Sequence, residues 1–279
     1  MRSVTIRHIA EMKTRGEKIP MITAYDYTSA RLADEAEIPI LLVGDSLGMV
    51  MLGHDSTIPV TMDDMVHHIK AVARGVKRSL TVGDMPYMSY QIDTSQALTN
   101  AARLMQEGGA HTVKLEGGEK VAETIRRVVD AGIPVMGHIG LTPQSVHAFG
   151  GYRVRGRNRR EAVQLLRDAQ AVEQAGAYAV VLELVPTSLA RFISQRLTIP
   201  TIGIGAGAGC DGQVQVLHDM LGLFTDFVPK HTRRFASLAE TIREAFTRYA
   251  QEVKEGSFPA EEHSFTMDEA VLDELTIVQ

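Results

Sequence analysis

Short apolar runs alternate with longer amphipathic stretches along most of the chain. A run that is apolar at every position is typical of a strand in a parallel sheet, because helices cover both of its faces. Short runs, most of them apolar on both faces, predict eight strands, at Ile19–Tyr25, Ile38–Gly44, Leu80–Gly83, Thr112–Glu116, Pro134–His138, Ala179–Glu183, Pro200–Ile204 and Phe227–Pro229.

Between these runs, apolar residues recur three or four positions apart, which predicts amphipathic helices. They fall at Met62–Arg74, Ser95–Glu107, Glu119–Ala131, Arg160–Ala175, Leu189–Gln195 and Ser237–Glu255. Strands and helices that alternate over roughly 250 residues favour an α/β fold of the (β/α)8 TIM-barrel type. An open doubly wound sheet is the alternative, because alternation alone does not show that a sheet closes.

No linker or low-complexity segment divides the chain, so residues 1–279 are predicted to form a single domain. An N-terminal helix, Ile6–Arg15 within residues 1–17, precedes the first strand, and a helical tail, residues 256–279, follows the last predicted helix.

Composition removes several classes of function. The chain has 29 Lys and Arg against 34 Asp and Glu, a net charge of −5, and thus no excess of positive charge for nucleic acid. Its single cysteine, Cys210, excludes an intrachain disulfide and fits a cytoplasmic protein. No apolar run approaches the ~20 residues of a membrane helix, and the first residues lack the apolar core of a signal peptide. We therefore expect small-molecule partners.

Charged residues stand at the carboxyl ends of the predicted strands, where barrels of this type build their active sites. They are Asp45, Asp84, Lys114, Glu116, His138 and Glu183. Because strand side chains alternate, Lys114 and Glu116 share one face, and Glu183 shares a face with Val181. Taken singly, each aspartate could cap a helix and Glu183 could be a surface residue, but together these charges indicate a site at the barrel mouth.

Asp45, Asp84 and Glu116 would bring three carboxylates from neighbouring strands together, which favours Mg²⁺ over zinc. A 2-oxo acid could complete the coordination of the metal, which would polarise its carbonyl and acidify the adjacent C–H. Glu183 is then the natural general base, and Lys114 a charge partner for carboxylates or substrate. The residues themselves predict a metal-assisted, enolising barrel.

Nine short motifs stand in order between residues 18 and 265: KIPMITAYDY, VGDSLGM, GHDST, GDMP, VKLEGG, GHIGLTPQ, GIGAG, DGQ and FPAEEHSF. Together they resemble the ketopantoate hydroxymethyltransferase family. The resemblance implies a (β/α)8 barrel that transfers a hydroxymethyl group from 5,10-methylenetetrahydrofolate to 3-methyl-2-oxobutanoate, giving 2-dehydropantoate for pantothenate synthesis. It also implies a cytoplasmic homodecamer.

The resemblance also implies roles for single residues. Those that correspond to the Mg²⁺ site are Asp45, Asp84 and Glu116, and those that correspond to the oxo-acid contacts are Asp45, Ser46, Asp84 and Lys114. Glu183 corresponds to the proton acceptor, and His138 is the next candidate for that role. Four positions depart from the family pattern without touching metal or base: Glu37, Arg155, Gln215 and His231.

Three other functions share parts of this pattern. A lyase or mutase of the isocitrate lyase and phosphoenolpyruvate mutase type would use a similar barrel, but the Lys-Cys-Gly-His stretch of such lyases is missing. A Schiff-base aldolase would use Lys114 as its nucleophile. A non-catalytic oxo-acid-binding protein would keep the metal site without needing Glu183.

Overall fold

Eight parallel strands pair in chain order and close into a barrel in the computed structural model, which describes residues 3–275. The strands are β1 Ile19–Thr23, β2 Ile40–Val43, β3 Leu80–Asp84, β4 Thr112–Glu116, β5 Val135–Gly140, β6 Ala179–Glu183, β7 Thr201–Ile204 and β8 Gly212–Gln215. The closed barrel confirms the predicted TIM-barrel class and excludes the open doubly wound sheet.

Helices surround the barrel and extend the chain at both ends. They are α1 Ile6–Thr14, α2 Tyr27–Glu35, α3 Leu47–Val50, α4 Met62–Gly75, α5 Thr94–Gln106, α6 Ala122–Asp130, α7 Val146–Phe149, α8 Arg159–Gln174, α9 Thr187–Ser194, α10 Leu217–Met220, α11 Leu238–Glu255 and α12 Glu269–Leu275. The predicted helices agree with these bounds to within two or three residues at each end. Residues 276–279 of the predicted tail lie outside the described residues.

The predicted eighth strand, Phe227–Pro229, was wrong. That segment is a loop between α10 and α11, and the barrel closes instead through β8, which pairs with β7 and β1. Val214 of β8 is buried inside the barrel, whereas Gln213 points outward and donates to the carbonyl of Gly207. The helix that directly follows β8 is α10, which has only four residues. The outer face of β8 is therefore polar, and the strand forms no apolar run.

The core has two layers, which follow from the alternation of side chains along each strand. One layer fills the barrel interior and includes Met21, Leu42 and Val181, while the other packs the barrel against its helices. Ile9 of α1 is fully buried against the interior layer, at the end where the strands begin. The opposite end of the barrel is therefore left for the site.

α11 is the long helix that remains outside this packing. None of its residues is buried, and Ile242, Phe246, Tyr249 and Val253 expose large apolar side chains at a spacing of three or four residues. Within residues 3–275, no helix is both long and apolar enough to span a membrane.

Candidate active site

The charged residues predicted at the strand ends meet at the carboxyl end of the barrel. Asp45 follows β2, Asp84 ends β3, and Lys114 and Glu116 lie on β4. These four side chains and His138 of β5 are all buried. The predicted alternation is confirmed, because Val113, Leu115, Val180 and Leu182 pack outward against the helices.

Lys114 is the cation at the centre of this group. Its Nζ lies 2.7 Å from Oδ1 of Asp84 and 3.3 Å from Nδ1 of His138. Burial disfavours the ammonium form, but the charges of Asp84, Glu116 and Asp45 outweigh it and raise the pKa of Lys114 above its ordinary value. Lys114 therefore stays protonated, which argues against its use as the nucleophile of a Schiff-base aldolase.

His138 connects two carboxylates. Its Nδ1 lies 3.3 Å from Oε1 of Glu116, and its Nε2 lies 3.2 Å from Oε2 of Glu183 at the end of β6. Burial and the Lys114 charge oppose protonation, but hydrogen bonding to Glu116 and Glu183 and the Glu116 charge prevail and raise the pKa of His138 to about 9. Neutral imidazole can accept a hydrogen bond from Lys114 through Nδ1, whereas imidazolium donates to the carboxylates.

The three carboxylates assigned to the metal have different environments. Burial raises the pKa of Asp45, and the charges of Asp84 and Glu116 raise it further. Burial also raises the pKa of Asp84, although Lys114 opposes this. Burial acts in the same direction on Glu116, but bonding to His138 and the charges of His138 and Lys114 leave its pKa below the ordinary value. A bound cation would relieve this crowding of negative charge.

Gln144 and Tyr90 organise the carboxylates, and the sequence analysis did not identify either. The Gln144 amide donates to Oδ2 of Asp45 at 2.9 Å, and its backbone N–H donates to Oε2 of Glu116 at 3.1 Å. The Tyr90 hydroxyl lies 2.8 Å from Oε1 of Gln144 and accepts from the backbone N–H of Glu116. Gln144 is the last residue of the GHIGLTPQ motif, so that motif could have identified it as a site residue. None of the nine motifs contains Tyr90.

The donor set fits Mg²⁺, although the side chains are not arranged around an ion. Within the described part of the chain, no three His, Cys, Asp or Glu side chains form a chelating group. Lys114 and Gln144 instead contact Asp84 and Asp45. Oδ1 of Asp84 and Oε1 of Glu116 are buried, and apart from the contacts with Lys114 and His138 neither oxygen has a partner among the described residues. Buried carboxylate oxygens with free acceptor capacity are the ligands that a hard cation prefers.

A cavity of about 440 Å³ opens above this cluster. The charged residues form its floor, and Ser46, whose Oγ lies 2.8 Å from the Tyr25 hydroxyl, stands beside them. The walls above the floor are mainly apolar and aromatic, formed by Met49, Val50, Tyr152, Leu184, Ile204, Val216, Phe224, Phe227 and Pro229. His231, one of the departures from the family pattern, also lines the cavity.

The model of the family described as ketopantoate hydroxymethyltransferase matches residues 3–261. This chain belongs to that family. A 3-methyl-2-oxobutanoate hydroxymethyltransferase of Chloroflexus aurantiacus is 60% identical over 269 residues, which are 96% of this chain and 95% of the relative. A protein of the same name from Carboxydothermus hydrogenoformans is 58% identical over 99% of this chain and 100% of its own. The chain is accordingly an enzyme, a hydroxymethyl transferase.

Solved structures with a similar fold have much less similar sequences. A phosphonopyruvate hydrolase in complex with oxalate and Mg²⁺ superposes with a TM-score of 0.62 at 13% identity, over 92% of each chain. A 2,3-dimethylmalate lyase of the phosphoenolpyruvate mutase and isocitrate lyase superfamily has a TM-score of 0.59 at 15% identity, over 100% of this chain and 98% of its own. At such identities the likeness concerns the fold alone, and family membership decides between a lyase and a transferase.

Proposed function

We propose that this enzyme transfers a hydroxymethyl group from 5,10-methylenetetrahydrofolate to 3-methyl-2-oxobutanoate. The products are 2-dehydropantoate and tetrahydrofolate, formed for pantothenate synthesis in the cytoplasm. The observation that carries this proposal is the buried floor of Asp45, Asp84, Lys114 and Glu116, with Glu183 at its edge. Such a floor can bind a small chelating anion and place a base beside it.

Asp45, Asp84 and Glu116 would hold Mg²⁺ in this proposal. When bound, the ion supplies Lewis acidity, which polarises the 2-oxo group and makes the proton at C3 more acidic. Lys114 and Ser46 would bind the oxo acid from the protein side, Lys114 by its charge and Ser46 through its hydroxyl. Gln144 would fix the orientation of the Asp45 carboxylate through the hydrogen bond of 2.9 Å.

Glu183 is the general base in this proposal. β6 stands four strands from β2 around the barrel, so Glu183 faces the floor from the opposite wall to Asp45. Its carboxylate takes the C3 proton. Water adds to the methylene carbon of the donor, both bonds from that carbon to N5 and N10 of the folate break, and the carbanion at C3 adds to the one-carbon unit released at the formaldehyde level. Of the three protons involved, one from C3 and two from water, one ends on the new hydroxyl group and one on each of N5 and N10.

The assembly belongs to the same proposal. α11 exposes four large apolar side chains in one stripe, Ile242, Phe246, Tyr249 and Val253. An exposed apolar stripe of this kind is typical of a surface that contacts another protein. Packing of this stripe against another copy of the chain would remove it from water, in agreement with the homodecamer that the family resemblance implies.

A direct assay tests the proposed reaction. We expect the purified enzyme, given 3-methyl-2-oxobutanoate, 5,10-methylenetetrahydrofolate and Mg²⁺, to form 2-dehydropantoate, and we expect EDTA to stop it. Without the folate, the enzyme should still exchange the C3 proton of the oxo acid in D₂O. Absence of both product and exchange would contradict the proposal. Labelling of Lys114 by borohydride in the presence of the oxo acid would favour the aldolase mechanism instead.

A further inference from the structure

The mouth cavity has two chemically different halves. Its floor carries the buried charges, whereas its upper walls are aromatic and aliphatic. The oxo acid has eight non-hydrogen atoms, so at the floor it occupies only part of the cavity. The one-carbon donor of the proposed function must bring its methylene group to C3 of that acid, and it can enter only from above. The upper half is therefore available to the donor.

One acidic side chain that lines the cavity does not belong to the charged floor and has no hydrogen-bond partner among residues 3–275. Asp219 of α10 is only 9% exposed, and it lines the cavity. No hydrogen bond or ion pair within residues 3–275 reaches its carboxylate, on which the charge of Arg234 acts only from a distance. A buried carboxylate without a donor is costly to maintain, which points to a ligand that supplies the missing N–H groups.

The backbone holds Asp219 in place. The N–H of Leu217, at the start of α10, donates to Oγ1 of Thr23 at 2.8 Å and ties the helix to β1. The Tyr25 ring lies 5.5 Å from the neighbouring His218 ring. The carboxylate is thus presented to the cavity by a fixed element, as expected for a recognition group.

Aromatic side chains line the same cavity as this carboxylate. Phe224 and Phe227 come from the loop after α10, and Tyr152 comes from the loop after α7. Phe227 and Tyr152 are 56% and 53% exposed, although both line the cavity. Exposed aromatic faces on a concave wall suit a flat, heteroaromatic ligand, which gains stacking contacts with them.

We propose that the upper half of the cavity binds the pterin ring of the folate donor, with Asp219 as its recognition residue. The carboxylate accepts two hydrogen bonds from the 2-amino group and N3–H of the pterin, a planar donor pair that matches its two oxygens. Phe224 and Phe227 contact the ring. This assignment rests on the proposed transferase function and adds the binding site for the second substrate.

The test compares Asp219→Asn with Asp226→Asn, which changes an exposed aspartate of the neighbouring loop that does not line the cavity. Calorimetric titration with tetrahydrofolate should show binding at least about ten-fold weaker in Asp219→Asn and unchanged binding in Asp226→Asn. Wild-type enzyme should also bind 2-desamino-tetrahydrofolate about ten-fold more weakly than tetrahydrofolate, whereas Asp219→Asn should discriminate little between the two.

A second pair tests the aromatic wall. Phe227→Ala should raise the KM for 5,10-methylenetetrahydrofolate by about 3- to 10-fold. Phe235→Ala, at an exposed position outside the cavity, should leave this KM unchanged.

The rate of C3 exchange in the absence of the folate donor depends on the floor of the cavity alone. If the wild type neither exchanges nor forms product, the proposed function fails. If it forms product but Asp219→Asn binds tetrahydrofolate like Asp226→Asn, the pterin site is wrong and the proposed function stands.

Discussion

The Nε2 atom of His138 lies 3.2 Å from Oε2 of Glu183, so the predicted base is in contact with a buried imidazole. The other ring nitrogen lies 3.3 Å from Oε1 of Glu116, one of the predicted metal ligands. A single side chain therefore contacts both the predicted base and a predicted metal ligand. We propose from this relationship that His138 positions Glu183 and is not the base itself.

This contact predicts a graded loss of activity at His138. His138→Gln retains an amide that can donate toward Glu183, whereas His138→Ala retains nothing. We expect kcat to fall by about 10- to 100-fold in His138→Ala and by less in His138→Gln, with a smaller change in KM for the oxo acid. His147→Gln, on the exposed surface of α7, is the control. Equal losses in the two His138 variants would contradict a positioning role.

Replacement of Glu183 should separate binding from proton transfer. Glu183→Gln keeps the shape of the side chain but cannot accept the C3 proton. We expect the rate of C3 exchange in D₂O to fall by ~10²–10⁴, with near-normal binding of the oxo acid by calorimetry. Exchange at the wild-type rate would show that Glu183 is not the base and would turn attention to His138.

Removal of a floor carboxylate should abolish metal-dependent binding. Asp45→Ala or Asp84→Ala deletes one proposed Mg²⁺ ligand and leaves Gln144 or Lys114 without its partner. Titration with Mg²⁺ plus the oxo acid should show much weaker binding, and turnover should be lost, while circular dichroism shows a folded barrel. Asp226→Asn serves again as the control. Wild-type affinity and turnover in both variants would refute the metal assignment.

Asp219 should make stability depend on pH. Burial raises its pKa from 3.8 to about 6, although Arg234 opposes this. The folded state therefore holds the proton more tightly than the unfolded chain. This tighter binding of the proton stabilises the folded state below pH ~4, and the stabilisation is lost as the pH rises through about 6. Asp219→Asn should raise the free energy of unfolding at pH 8 by up to about 3 kcal/mol, the equivalent of the shift.

The pH series supplies the control for that prediction. At about pH 3, wild type and Asp219→Asn should unfold at nearly the same denaturant concentration, because Asp219 is then largely neutral in both states. A difference in stability that is equal at about pH 3 and at pH 8 would show that the carboxylate charge is not its cause. The variant is thus expected to be more stable and to bind tetrahydrofolate more weakly.

The exposed stripe of α11 gives a prediction about assembly. Phe246→Glu places a charge in the centre of the stripe, and light scattering should show a smaller particle than wild type. Arg243→Glu adds negative charge at an exposed position of the same helix outside that stripe, and it should leave the particle size unchanged. A wild type that is monomeric at micromolar concentration would contradict the proposed self-association.

The sequence by itself determined the barrel and the charged floor. Strands such as β2 are apolar at all four positions because helices cover one face and the barrel interior the other, and that burial is visible in the residues themselves. The period of two placed Lys114 and Glu116 on the face opposite Val113 and Leu115, as the structure shows. Family motifs then identified the reaction class.

Only the tertiary structure decided which strand closes the barrel and what each charge contacts. β8 is polar outside and has only one large apolar side chain, so its place depends on pairing with β7 and β1 rather than on its own pattern. Gln144 reaches Asp45 across 99 positions of sequence, and Asp219 faces the cavity only because α10 packs on β1. Contacts between residues so distant in the chain leave no local pattern, because they exist only once the barrel has closed.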